Sequence, residues 1–226
     1  MALLEKITDD LWVHATPHRF MGLSLGARMT VLRLPDGTLA LFSPTAIDDA
    51  LAAEIAALGE VAHVIAPNRY HHVYAGPAQA RYPKAKLHAA EGLRRKRPDL
   101  RIDADWNGAS RLGEGLTALP IEGSMLGETV IHDARSGTIV SVDLVENFVT
   151  MPPDTFTRLY LRASGLTDGV AWSLFLRPAY TDRRAARRSL DRILEMPWDR
   201  AIIAHGEVLR SGAKEDVRRA MTWIRG

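Results

Sequence analysis

The sequence predicts a mixed α/β protein, and three observations carry that reading. Short apolar runs rich in β-branched residues alternate with segments of helical period, and Gly or Pro stands where one gives way to the other. Residues 10–14 and 29–34 read as strands, and Pro35-Asp36-Gly37-Thr38 turns the second into 39–42 as an antiparallel hairpin. A helix follows over 48–58, where Ile47, Leu51, Ile55 and Leu58 recur at helical spacing and Gly59 supplies the stop. Val61-Ala62-His63-Val64-Ile65-Ala66 then completes a strand, helix, strand unit that Pro67-Asn68 ends.

Farther along, 75–82 reads as a short helix stopped by Pro83, 86–89 as a strand and 91–97 as another short helix. Strands return at 116–119, 129–132 and 138–142, the last two joined by the turn-rich 133–137. After Pro152-Pro153 the pattern predicts helices over 154–161 and 182–196, the latter with Ala186, Leu190, Ile193 and Leu194 on one face and Pro197 at its end. Residues 201–204 form a short buried strand ending in His205-Gly206, and 214–224 an amphipathic closing helix.

Composition bounds the function. A chain of 226 residues with apolar residues spread evenly reads as one domain over 1–226. No apolar run approaches the roughly 20 residues of a membrane span, and the amino terminus lacks a basic leader with an apolar stretch, so a cytoplasmic protein with no membrane partner is expected. The absence of cysteine removes disulfides, thiolate metal sites and cysteine nucleophiles together. Net charge is only +2. The arginine clusters at 94–97 and 183–188 alternate with apolar positions like solvated helix faces, so no nucleic-acid partner is expected.

Three predicted strands end in residues of metal-ligand type: 61–66 leads to His71 and His72, 138–142 to Asp143, and 201–204 to His205. If those ends share one edge, imidazoles and a carboxylate converge, a donor set that suits one Zn or Fe ion when thiolate is absent. Each also has a plainer reading. The histidines could be hydrogen-bonded in a loop, Asp143 could cap backbone amides, and His205-Gly206 could be a turn.

The order of elements, with a His-rich loop, a late strand ending in Asp and a final strand ending in His-Gly, resembles the metallo-β-lactamase fold. That resemblance implies an αββα sandwich, two mixed sheets face to face with helices outside. The family's His-x-His-x-Asp-His motif, laid on without a gap, falls on Pro67, Arg69, His71 and His72, so only the last histidine is retained. Its next histidine falls at Ser124 within Gly123-Ser124-Met125-Leu126-Gly127, its bridging aspartate at Asp143 and its closing histidine at His205. Ala66-Pro67-Asn68, His71-His72, Glu128-Thr129-Val130, Asp143-Leu144 and Asn147 resemble, more closely, a subfamily defined as a domain of unknown function.

The resemblance implies a hydrolase-like protein with a degenerate site, its first metal position lost and its second keeping His71, His72, Asp143 and His205. In that reading Asp143 and His72 are the catalytic candidates. Asn68 and Arg69 are ligand contacts, and a substrate carboxylate or phosphate suits the arginine. Asn68 could equally serve the loop backbone, and Arg69 could fill the lost metal's place or face solvent. Glu128 is a candidate acceptor for an imidazole, and His18 lies in a loop able to reach the pocket mouth. The rival reading is a non-catalytic descendant of the fold that binds a small anionic ligand or a protein partner.

Overall fold

The computed structural model describes residues 3–167 and 169–225. Its larger sheet has seven strands, in spatial order Glu5–Lys6, Leu11–Thr16, Ala27–Arg33, Leu39–Phe42, Val61–Ala66, Lys86–Ala90 and Ala104–Trp106. The first four pair antiparallel and the remaining pairings are parallel, with helices Asp49–Leu58 and Ala75–Arg81 as crossovers. The smaller sheet orders Leu116–Pro120, Thr129–Asp133, Thr138–Val140 and Arg200–Ile202, the last two in parallel.

Side-chain alternation explains why the strands read as continuous apolar runs. Along Val61–Ala66, Val64 and Ala66 face the helices while Ile65 faces the other sheet. The same split holds in the smaller sheet, where Val130, Ile139 and Ala201 pack on helices and Ile131, Val140 and Ile202 pack between the sheets. A strand buried on both faces has no polar side to show. The result is four layers, αββα, with Phe42, Trp106 and Leu11 among the largest side chains in the middle.

Helix ends follow their caps. Asp48, Asp154 and Asp182 each accept a backbone amide three residues on, starting Asp49–Leu58, Thr155–Ala163 and Arg183–Glu195. Other boundaries move for physical reasons. The strand expected over 138–142 leaves the ladder after Val140, because the amide of Val142 is taken by the Glu128 carboxylate at 2.8 Å instead of a neighbouring strand. The closing helix breaks at Met221 into Ala213–Ala220 and Thr222–Arg225, and Trp223 packs edge-on against Trp172. Ala104–Trp106 is too short for periodicity to reveal. Among the described residues no helix is long and apolar enough to cross a membrane.

Within the larger sheet, His63 Nδ1 lies 2.8 Å from His88 Nε2, and His88 is buried against Trp106. Burial, then the neighbouring His63 and Lys86, push His88 down to about 4. Between pH 6.5 and 4 the unfolded chain therefore binds a proton that the folded chain refuses, and stability falls as pH falls through that window. Urea denaturation at pH 7 and pH 5 is expected to show a smaller loss for His88→Gln than for the unsubstituted protein. Equal losses would contradict the assignment.

Candidate metal centre

Asp143 and His205 follow the paired parallel strands Thr138–Val140 and Arg200–Ile202, so both leave the smaller sheet at one edge. His71 reaches the same point from the larger sheet, beyond Val61–Ala66. His71 Nε2 lies 3.3 Å and His205 Nε2 3.5 Å from the same oxygen, Asp143 Oδ1. The three donor atoms lie within 4.8 Å of one another, the spacing of a site able to hold one metal ion.

Both imidazoles are fixed from behind. His71 Nδ1 is 2.9 Å from Ser43 Oγ, and His205 Nδ1 is 3.1 Å from the Gly26 carbonyl. A carbonyl only accepts, so Nδ1 of His205 carries the hydrogen and Nε2 faces Asp143 with its lone pair unless protonated. Two electron-rich atoms so opposed call for a cation or a proton between them. Burial opposes ionisation of Asp143, but the His71 and His205 imidazoles outweigh it and hold the carboxyl well below the usual range. Burial likewise pushes His205 down, while its hydrogen bond to Asp143 and the nearby carboxylates prevail and raise it.

Asn68, with none of its surface exposed, organises the loop. Its Nδ2 donates to Asp143 Oδ2 at 2.6 Å, and its Oδ1 accepts from the amides of Tyr70 and His71 at 2.9 and 2.8 Å. It is thus a positioning group behind the carboxylate, consistent with the loop role open to it from sequence. The tight turn it imposes sends adjacent side chains apart. His71 points into the site, whereas His72 does not join the group: its Nδ1 lies 3.0 Å from an Arg97 nitrogen, and burial, then Lys96 and Arg97, push it down to about 4.

Arg69 does not line the cavity in front of the site. It donates to the carbonyls of Glu91 at 3.0 Å and Met125 at 3.2 Å and so ties the loop before His71 to both segments. Ser124 caps the amide of Leu126 at 3.1 Å. Glu128, fully buried, accepts from the amides of Val142 (2.8 Å) and Asp143 (3.1 Å) and not from an imidazole, because the chain between strands leaves those amides without a ladder partner. Burial and the Asp143 charge push it up to about 8.

Three participants escaped sequence reasoning. Arg28, buried in the larger sheet, donates to the carbonyls of Ile203 at 2.5 Å and Gly206 at 2.6 Å and so grips the His205 loop. Ser43, at positive φ (54°), anchors His71. Glu146, buried in the cavity wall, has an Oε2 with no hydrogen-bond partner; burial, reinforced by Asp143 and opposed by His205, pushes it up to about 7. None of the three lies in a motif, although Glu146 falls three residues after Asp143.

Gly206 fixes the far side of the loop. Its φ is +80°, and a Cβ there would lie 2.0 Å from the Asn147 carbonyl oxygen. Gly206→Ala is expected to cost more than ~2 kcal/mol of stability in thermal or chemical denaturation. Asn68→Ala is expected to cost ~2 to 4 kcal/mol, since it leaves the buried Asp143 oxygen and two amides short of a partner. A change below 0.5 kcal/mol in either would remove that residue from the frame of the site.

With the geometry in place, the comparisons agree on architecture. A metallo-β-lactamase from Pontibacter korlensis superposes with TM-score 0.66 at 10% identity, over 99% of this chain and 98% of that one. A metallo-β-lactamase from Hirschia baltica gives TM-score 0.66 at 12% identity, over 98% and 96%. A Nostoc sp. PCC 7120 fragment provisionally named a diflavin flavoprotein gives 0.67 at 14%, over 98% and 94%. The chain has the metallo-β-lactamase fold, and at such identities the likeness concerns the fold alone. In sequence, residues 8–93 match the family model "Domain of unknown function (DUF4336)". No curated protein is matched.

Proposed function

We propose that this protein is a metal-dependent hydrolase with a degenerate site, holding a single Zn or Fe ion through His71, Asp143 and His205. The observation that carries the reading is the opposition of two imidazole Nε2 atoms to one carboxylate oxygen, with both Nδ1 atoms anchored behind. Two imidazoles and one carboxylate are a donor set that Zn and non-haem Fe favour. Such an ion supplies Lewis acidity, polarising a carbonyl or phosphoryl oxygen and making water more acidic. Pro67, Arg69 and Ser124 stand at the positions where the family's motif would supply the other metal's ligands, and Arg69 is committed to two carbonyls, which supports a single ion.

The chain's own groups divide the remaining work. Asn68 and Glu128 hold Asp143 from its side chain and its backbone, so its second oxygen stays turned toward the imidazoles. Glu146 lines the cavity and is the carboxyl we assign to accept a proton and return it to a leaving group, its Oε2 being buried without a hydrogen-bond partner. Ser43 and Gly26 keep the two rings from rotating out of position.

Calorimetric titration of chelator-treated protein with Zn(II) or Fe(II) is expected to show one equivalent bound. His71→Ala, Asp143→Ala and His205→Ala should each weaken binding at least 100-fold, consistent with loss of an inner ligand, while His72→Ala changes it less than threefold. Hydrolysis of p-nitrophenyl acetate should return with one equivalent and fail in Glu146→Gln. Less than a tenth of an equivalent bound, for either metal, would overturn the reading and favour a non-catalytic protein that uses the cavity only to bind a ligand.

A further inference from the structure

In front of His71, Asp143 and His205 opens a cavity of about 280 Å³. Beyond those three, Glu146 and His18, its walls are largely apolar or aromatic, including Leu25, Tyr74, Tyr160 and Leu176. No lysine or arginine is among the described residues lining it. The cations adjoining lining residues in sequence are occupied: Arg19 bonds Ser24, Arg28 donates to the Ile203 and Gly206 carbonyls, Arg69 holds Glu91 and Met125, and Arg177 sits 5.0 Å over the Trp223 ring.

The mouth continues the same chemistry outward. The hairpin Arg19–Phe20 and Leu23–Ser24 carries Phe20 (42% exposed) and Met21 (84% exposed) at its tip, with Phe20 edge-on to Tyr70 at 6.2 Å. The tip is a two-residue turn in which Met21 takes φ +48° and Gly22 φ +86°. Asn or Gly is the favoured residue at the first such position, and a methionine there is strained. An unbranched apolar side chain is thus displayed to solvent at the cavity mouth in a costly conformation. The hairpin itself is pinned, the amide of Ser24 donating to Thr157 Oγ1 at 2.9 Å.

Resting on the hydrolase reading above, we propose that the substrate is a neutral molecule with an apolar acyl or aryl portion, such as a medium-chain ester or lactone. Its carbonyl lies toward Asp143 and its apolar portion between the Phe20-Met21 tip and Tyr160 with Leu176. Away from the metal position at Asp143, a carboxylate or phosphate on the ligand finds no cationic side chain among the described residues lining this cavity. Burying an unpaired anion there is costly, whereas apolar surface is stabilised by its removal from water.

The test uses binding, so that it does not depend on turnover. The full chain, with and without Zn(II), is titrated with the neutral fluorophore N-phenyl-1-naphthylamine, then challenged with 1-octanol or octanoate. Saturable binding is expected, and in the metal-free chain octanol displaces the probe at a concentration at least tenfold below octanoate. Met21→Glu should weaken probe binding at least fivefold with unchanged metal stoichiometry. Met21→Asn should raise Tm by relieving the turn yet still weaken probe binding, a combination that a purely structural methionine would not give. Octanoate competing as well as octanol in the metal-free chain, no saturable probe binding, or unaltered binding in Met21→Glu overturns the proposal. One equivalent of metal with no probe binding would defeat this inference alone, and probe binding by a chain that takes up less than a tenth of an equivalent of added metal would defeat the hydrolase reading alone.

Discussion

Everything at the open edge of the sandwich is arranged around one buried carboxylate. Asp143 lies with one oxygen against two imidazoles and the other against the Asn68 amide, while its backbone amide is held by Glu128. A charge withdrawn from water in this way must be met on all sides, because truncating one partner of such an arrangement leaves the other buried and unpaired at ~3 to 5 kcal/mol. The loop after Val61–Ala66, the exit from Thr138–Val140 and the turn after Arg200–Ile202 therefore have to arrive together. The sheets bring them close, and Asp143 sets how close.

Much of the architecture was legible because buried strands and capped helices leave strong local marks. The run from Val61 to Ala66 reads as a strand since both its faces are covered, and Asp48, Asp154 and Asp182 announce helix starts through a side chain that accepts an amide. The metallo-β-lactamase order of elements could be recognised for the same reason. Boundaries were less legible where a side chain replaces a ladder partner, as Glu128 does beyond Val140.

Within the site, sequence placed His71, Asp143 and His205 at strand ends but could not resolve the direction of neighbouring side chains in a turn. His71 and His72 are equivalent as letters, and only the Asn68 hydrogen bonds and the Arg97 contact separate them. Arg69 likewise reads as an anion contact, a filler of the lost metal's place or a solvent-facing residue, and only its bonds to two carbonyls show what the guanidinium holds. Arg28 bonds residues 175 and 178 positions away and Ser43 one 28 positions away, and no spacing rule reaches that far.

Arg28 has a consequence for how this edge can change. Both of its donated bonds end on main-chain carbonyls, those of Ile203 and Gly206, and Glu128 and Asn68 Oδ1 likewise hold backbone amides. These grips read the path of the chain and are indifferent to the side chains along it. Mutation can therefore exchange a ligand-type residue for a proline or an arginine while the loop that carries it keeps its course. A scaffold held by its backbone is free to rewrite its chemistry one letter at a time, and Pro67, Arg69 and Ser124 are letters of that kind.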